Sequence, residues 1–287
     1  MKHSLFDILI KPGAFFQDVM AEKESLRIPG LIVLILAIIG AVTAYFVAGP
    51  TAQIMDGISS GFGAITIIGA LIVGFIGAFV FWILWTEIFF ITSLIFRKEL
   101  IPGFNREFIG TILVLSGIFL LILTSLLQQK ATTTVDTISI LLSLLSLLAL
   151  VAIIVSMFIF LSREKFRRPL EFVGYGYLPQ IFGAILSLVV ALQYLPRIIV
   201  PQIAMSAIQE NPQLIQEAIK TLMHDPGMME MTQIKSVISI VFLLWSANIW
   251  IAGMKNARQL SERDSALCVG IPVVLYILYM IYSMTGI

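Results

Sequence analysis

The chain has 287 residues, of which 59% are apolar and only 12% are charged. That charged share is about half of what soluble domains carry, so the composition excludes an ordinary soluble protein and indicates a membrane protein. The net charge of +1 favours no nucleic-acid partner. The single cysteine, Cys268, excludes an intramolecular disulfide and is interpreted as a packing residue.

Residues 1–29 are amphipathic and too charged to cross a bilayer. Lys11 and Pro12 predict a helix start, because proline is tolerated in the first turn. One face of this helix carries Phe15, Phe16, Val19 and Met20. Two interpretations stay open: the helix packs on the protein's own cytoplasmic end, or it lies in the plane of the lipid headgroups.

Seven apolar runs follow, and each is long enough to cross a hydrocarbon core of roughly 30 Å as a helix. We therefore predict an all-α integral membrane protein formed by a single membrane domain over residues 1–287, with amphipathic helices on both faces. The predicted spans are residues 30–49, 64–96, 108–127, 138–161, 172–195, 236–254 and 266–287.

The second run, residues 64–96, is too long for one perpendicular crossing, and this leaves the position of Glu87 open. If Trp82 and Trp85 mark the interface, Glu87 lies at headgroup level and the residues after it run along the surface. If the span instead ends at Phe96, Glu87 is inside the membrane and becomes a functional candidate.

Small residues recur at four-residue spacing on the first two spans. They are Gly40, Ala44 and Ala48 on the first, and Ala70, Gly74 and Ala78 on the second. Such stripes let two helix backbones approach closely in lipid, so spans 1 and 2 are predicted to pair.

The fifth run begins with an unusual stretch that contains Gly174, Tyr175, Gly176 and Pro179. Pro179 removes one backbone hydrogen bond and predicts a kink inside the span. Directly before this run lies the densest basic cluster of the chain: Arg163, Lys165, Arg167 and Arg168. We interpret these bases as a signal that determines membrane topology. Contact with anionic headgroups or with a protein would be an additional role.

Lys and Arg residues alternate in number between successive connections, and fourteen of the eighteen fall on one side of a seven-span arrangement. The positive-inside rule then places the N-terminus in the cytoplasm and the C-terminus outside. The long connection of residues 196–235 falls on the outer side. Apolar residues recur in it at helical spacing after Asn211 and Pro212, which predicts one or two amphipathic surface helices.

The residues that carry chemistry are sparse: there are two histidines, and no pair of carboxylates lies within a span. We predict no catalytic, cofactor-binding or metal-binding residue, and no cofactor. Asn248 is the one strong amide of the sixth span, where such a group typically bonds across helices.

Several short motifs in a fixed order suggest a family. They are Lys-Pro-x-x-Phe-Phe at 11–16, Phe-Val-Gly-Tyr at 172–175 followed by Pro179, Ile-Trp-Ile-Ala-Gly at 249–253, and the basic loop 255–263 with Pro272 beyond it. This order resembles the Yip family, the Ypt/Rab-GTPase-interacting multi-pass membrane proteins, in its prokaryotic branch. The family usually has five spans, so spans 3 and 4 look like an additional hairpin. The acidic segment of the eukaryotic members has no good match.

The resemblance implies a non-enzymatic membrane protein, since eukaryotic members recruit prenylated GTPases and act in vesicle traffic and membrane shaping. We therefore expect a scaffold or adaptor in a prokaryotic cell membrane. Its partners would be membrane lipids, a cytoplasmic protein and a second copy of itself. Candidate contacts are Arg163, Lys165, Arg167, Arg168, Tyr175, Lys255 and Arg258. The alternative is a small-solute transporter or channel that uses Glu87 and Asn248, with Pro179 as a break in a helix.

Overall fold

The computed structural model describes residues 4–97, 106–130, 137–202 and 213–285, together with residues 207 and 211, and every regular element within them is a helix. A short 3₁₀ turn, Leu195–Arg197, follows the eighth helix. The α-helices are α1 Asp7–Ile10, α2 Pro12–Ala21, α3 Arg27–Asp56, α4 Phe62–Phe96, α5 Arg106–Lys130, α6 Thr137–Leu161, α7 Glu164–Tyr175, α8 Leu178–Tyr194, α9 Gln213–Met223, α10 Pro226–Ala257 and α11 Glu262–Thr285.

Within the described ranges, six helices are long and apolar enough to cross a membrane: α3, α4, α6, α8 with its 3₁₀ turn, α10 and α11. Helix α5 adds a shorter apolar stretch, Phe108–Thr124. Many of the apolar side chains on these helices are exposed, as lipid-facing residues are; Val73 and Phe158, for example, are each 71% exposed. The predicted all-α, multi-span membrane protein is therefore confirmed, while a seventh crossing by α5 stays a prediction.

Helices α3 and α4 form an antiparallel pair in which glycines face each other. A Cβ atom added to Gly40 would lie 3.0 Å from the carbonyl oxygen of Gly74, and one added to Gly74 would lie 2.9 Å from the Cβ of Ala44. The backbones thus touch at the small residues whose spacing predicts this pairing.

The predicted span 172–195 is not one helix. Its first four residues end the amphipathic helix α7, the chain breaks at Gly176 and Tyr177, and α8 begins at Leu178. The predicted kink at Pro179 is corrected accordingly: Pro179 lies in the first turn of α8, two residues beyond the break. In a continuous helix the carbonyl of Tyr175 would accept a hydrogen bond from the N–H of residue 179, which proline lacks. Ending one helix and starting another at this point avoids that unmade hydrogen bond.

Buried side chains gather at the two ends of the bundle. We call the end where α3 begins and α4 ends the basic end, because the cluster Arg163–Arg168 lies there. Its core is large and aromatic and includes Phe15, Phe16, Phe89, Phe90, Phe166, Phe172, Tyr175 and Trp250. The far end has a smaller core in which α9 contributes Ala218 and Leu222. Helix α9 buries this side and exposes Gln216, Glu217 and Lys220, as its sequence pattern predicts.

Candidate functional site

The N-terminal helices and α7 form a layer on the basic end, which we call the basic-end platform: α1, α2 and α7. Phe15 and Phe16 are at most 1% exposed, and their rings lie against Tyr175 and Phe172 with centroids 5.2 and 4.6 Å apart. The apolar face of α2 is therefore covered by α7 and the bundle. Of the two interpretations of this segment, packing on the protein's own end is the one the structure favours.

Two tryptophans fix α7 to the bundle. The indole Nε1 of Trp82 donates to the carbonyl of Leu170, and that of Trp250 donates to the carbonyl of Val173, both at 2.8 Å. Val173 is among the last four residues of α7, whose carbonyls have no partner within the helix. The sequence offered Trp82 as a marker of the lipid interface. The residue is only 7% exposed, so it supports α7 instead.

Close approach of α7 depends on its glycines. A Cβ on Gly174 would lie 2.6 Å from Pro29 and 3.0 Å from the ring of Trp82. A Cβ on Gly176 would overlap the ring of Trp250. Gly174 and Gly176 are thus the points where the platform contacts its supporting tryptophans.

Arg168 joins α7 to the connection between α2 and α3. Its guanidinium donates to Glu171 at 2.8 Å and to the carbonyls of Val19 and Glu22 at 3.3 and 2.7 Å. The other carboxylate oxygen of Glu171 accepts from the backbone N–H of Ser25 at 3.2 Å. Burial raises the pKa of Glu171, and the Arg168 guanidinium partly opposes that increase. Arg168 is therefore a structural residue of the platform.

The predicted contact residues divide into buried and accessible ones. Tyr175 is 1% exposed and Arg258 is 5% exposed, so neither is available to a partner, and these two predictions are corrected together with that of Arg168. Lys165 and Arg167 are exposed on α7, and Arg163 is half-buried. Lys255 is partly exposed and pairs with Glu262 at 2.6 Å.

Arg258 holds the turn between α10 and α11 against α4. Its Nε donates to the hydroxyl of Ser93 at 3.0 Å, and its guanidinium lies 4.8 Å from the centre of the Phe90 ring. Its own carbonyl accepts from Arg97 at 3.2 Å. A cation over an aromatic face in a buried site is stabilised by the ring quadrupole, which explains how this charge is accommodated.

Glu87 lies in the interface between α4 and α6. It is fully buried; one carboxylate oxygen accepts from Ser156 at 3.1 Å, and the other has no hydrogen-bond partner among the described residues. Helix α4 continues without a break to Phe96, so the residues after Glu87 do not run along the surface as a separate segment.

The depth of Glu87 follows from helix geometry. Glu87 is 13 residues from Gly74 on α4, and Arg27 is 13 residues from Gly40 on the antiparallel α3. At 1.5 Å per residue, Glu87 and Arg27 are each about 20 Å from the Gly40–Gly74 contact. Gly40 is the middle of the predicted first span, so this contact lies near the bilayer centre. A distance of about 20 Å is more than half of a hydrocarbon core of about 30 Å. This geometry favours a position for Glu87 near the headgroups at the basic end.

Asn248 faces away from the bundle. It is exposed on α10, where its neighbours Ala247, Ile249 and Trp250 are buried, so it makes none of the interhelical contacts predicted for it. Glu87 is buried against α6. The structure does not bring these two residues together.

Trp82, Trp250 and Glu171 support the platform, a role that was not predicted from the sequence. A signal for Glu171 existed, because it follows Arg168 at the i,i+3 spacing of helical ion pairs. The tryptophans gave no such signal, since their carbonyl partners lie 88 and 77 residues away in the chain. Among the described residues, no three His, Cys, Asp or Glu side chains converge as a metal site.

Comparison with known proteins identifies one family. The profile of the Yip1 domain matches residues 6–108 and 96–284. An uncharacterised protein of Methanocaldococcus jannaschii is 34% identical over 96 residues, which are 33% of this chain and 68% of the archaeal protein. No solved structure matches this chain.

Proposed function

Because this chain belongs to the Yip1 domain family of integral, multi-pass membrane proteins, we propose that it is a non-catalytic adaptor that recruits a protein partner to the cytoplasmic face of the membrane. The observation that carries the proposal is the basic-end platform. It is a layer of helices that shares a buried aromatic core with one end of the bundle, whose spanning helices expose mainly apolar side chains.

The platform is built to hold its outer surface in a fixed arrangement. The indoles of Trp82 and Trp250, together with the bonds from Arg168 to the carbonyls of Val19 and Glu22, hold α7 in position. A preorganised surface binds a partner without paying to order itself, and this favours a docking role over a simple linker.

The accessible charges on α7 indicate the chemistry of the partner. Lys165 and Arg167 are exposed, and the neighbouring Glu164 is the only acidic residue in the first turn of this helix. An acidic segment of a protein would be complementary to these cations, and rim charges of this kind set the association rate and the choice of partner.

The proposal is tested by photocrosslinking in native membranes. A photoreactive residue is placed at Lys165 and at Arg167, and at Thr221 as an exposed control on the far end. We expect the same protein to be recovered from both α7 positions and not from Thr221. The charge reversal Arg167→Glu should reduce its recovery, whereas Lys220→Glu, also exposed on the far end, should not.

Two outcomes would contradict the adaptor. Recovery of lipid adducts alone at both α7 positions would assign these cations to the membrane surface. Equal losses with Arg167→Glu and Lys220→Glu would mean that general charge, and not the platform, controls the association.

A further inference from the structure

A cavity of about 390 Å³ lies within the membrane-spanning part of the bundle, between α3, α4, α8, α10 and α11. Its volume is at the lower end of the range for small-molecule sites, roughly 300–1,000 Å³. Val73 and Phe81 line it and are 71% and 47% exposed, so the cavity opens sideways onto the lipid-facing surface. A ligand would therefore enter from the bilayer.

The cavity has the length of one membrane leaflet. Its lining extends along α4 from Val73 to Trp85, a separation of twelve residues or about 18 Å. Gly74 contacts Gly40, the middle of the predicted first span, so this end lies near the bilayer centre. The other end lies toward the basic end, and half of a hydrocarbon core is about 15 Å.

The end nearer the membrane surface has an unsatisfied polar group. Tyr177 lines the cavity and is 5% exposed, and its hydroxyl has no hydrogen-bond partner among the described residues. A buried hydroxyl without a partner costs about 1–3 kcal/mol, so a ligand that accepts its hydrogen bond would gain affinity. The opposite end is lined mainly by Gly40, Gly74 and Gly77, which leave space, and Ser239 of α10 lines the same cavity.

We propose that this cavity binds one hydrocarbon chain of a membrane lipid from the leaflet at the basic end, with an ester or ether oxygen of that lipid accepting a hydrogen bond from Tyr177. The lateral opening, the leaflet length and the polar group at one end together match a lipid and do not match a water-soluble solute. The site is separate from the exposed surface of α7, so it does not depend on the proposed adaptor function.

One glycine allows the cavity to be filled without disturbing the helix pair. A Cβ on Gly77 would meet nothing within 4 Å, so Gly77→Leu places its side chain in the cavity, while the Gly40–Gly74 contact stays intact. Gly69 on the same helix also has open space around it but does not line the cavity, so Gly69→Leu is the matched control. Tyr177→Phe removes only the hydroxyl.

The test uses the full chain in phosphatidylcholine and phosphatidylglycerol vesicles that contain a trace of phospholipid with a photoactivatable diazirine in mid-chain. Adducts are counted by intact mass and located by peptide mapping. We expect adducts at the cavity lining, with a loss on the order of tenfold in Gly77→Leu, because a filled cavity leaves no room for the chain. Tyr177→Phe should lose about threefold, in the range of one hydrogen bond.

Equal adduct yields in the Gly77→Leu and Gly69→Leu proteins would overturn the proposal, because they would show general contact with surrounding lipid. Crosslinks between two copies of the chain at the cavity would overturn it in favour of a helix–helix interface. If Gly77→Leu fails to fold, Gly77→Ala is used, and a reduced yield relative to Gly69→Ala is then the supporting result.

Discussion

At the scale of single residues, the basic cluster contains two neighbours with different environments. The Arg168 side chain is 14% exposed and bonds to Glu171 and to two backbone carbonyls, whereas Arg167 is exposed. Sequence alone does not separate them, because both are cations in one run. The two arginines differ in burial, and burial determines the energetic cost of removing each one. A buried ion pair that loses one member leaves an uncompensated charge.

Arg168→Gln should therefore destabilise the protein by about 2–4 kcal/mol, slightly below the cost of breaking a fully buried pair because Arg168 retains some exposure. Arg167→Gln should change stability by less than about 0.5 kcal/mol, as exposed substitutions usually do. Thermal unfolding in detergent, followed by tryptophan fluorescence, measures both. Equal destabilisation by the two changes would contradict the structural role of Arg168.

The same pair predicts a pH dependence. Burial raises the pKa of Glu171 above its ordinary value of 4.5, and Arg168 partly opposes this. Without Arg168 that pKa rises further, so the folded state holds a proton that the unfolded state releases. The stability of Arg168→Gln should then fall as pH rises from about 4.5 through the raised pKa.

This dependence is measured as the difference in unfolding temperature between Arg168→Gln and the unmodified chain over that pH range. The double variant Arg168→Gln, Glu171→Gln is the control, because it has no carboxyl at this site to titrate. A pH-independent difference, or one that the double variant retains, would show that Glu171 is not the responsible group.

At the scale of elements, the joint between α7 and α8 decides how the platform is attached. Gly176 has a right-handed helical backbone, with φ −66° and ψ −9°, so an alanine there meets no conformational penalty. Its methyl group would nevertheless overlap the ring of Trp250. The effect of Gly176→Ala is therefore a direct measure of how tightly α7 packs on its support.

We expect Gly176→Ala to destabilise the protein by about 1–3 kcal/mol, the usual cost of overpacking a well-packed site. Gly13→Ala in α2 is the control, because a Cβ there meets nothing within 4 Å and alanine favours the helix by up to about 1 kcal/mol. The same unfolding measurement applies to both. A neutral Gly176→Ala would mean that Trp250 does not pack against this glycine.

The sequence predicts most elements of this fold because lipid imposes simple requirements on a chain. Long apolar runs give the spanning helices, and the spacing of Gly40 and Gly74 gives the α3–α4 contact. A kink was predicted at Pro179, but the end of one helix at Gly176 was not, since residues 172–195 are uncharged throughout and indicate a single span. The ring of Trp250 packs beside Gly176, and this residue is distant in sequence and close only in the folded chain.

Two candidate contact residues were misassigned because they are buried by residues that lie far away in the sequence. Tyr175 and Arg258 have residue types that favour an exposed contact, and the sequence contains no sign that Phe15 covers one and Ser93 bonds the other. Lys165 and Arg167 are exposed, because α7 turns only one face to the core, and their contact with a partner stays a prediction.

At the scale of the whole molecule, α5 and α6 form a hairpin on the side of the bundle. Gly110 and Gly117 of α5 face Phe160 and Ile153 of α6. The hairpin reaches the bundle through α6, where Ser156 bonds Glu87 and Phe160 packs between Phe90 and Phe166. This lateral attachment is what an additional hairpin would require, because the contacts between α3 and α4 do not depend on it.

The orientation of the chain is the last prediction. Fourteen of its eighteen Lys and Arg residues lie in the segments assigned to the basic end, and translocation of so many cations is disfavoured. We therefore expect the basic end to face the cytoplasm. In a Cys268→Ala background, a membrane-impermeant maleimide applied to intact cells should label Thr221→Cys, which is exposed on the far end.

The same reagent should label Arg167→Cys, which is exposed on the platform, only after the membrane is permeabilised. Removing Cys268 eliminates the one native thiol, which is buried, so any signal comes from the introduced cysteine. Labelling of Arg167→Cys before permeabilisation, with protection of Thr221→Cys, would reverse the orientation. It would then place the platform outside the cell, where no cytoplasmic partner could reach Lys165 and Arg167, and would exclude the adaptor role together with the predicted topology.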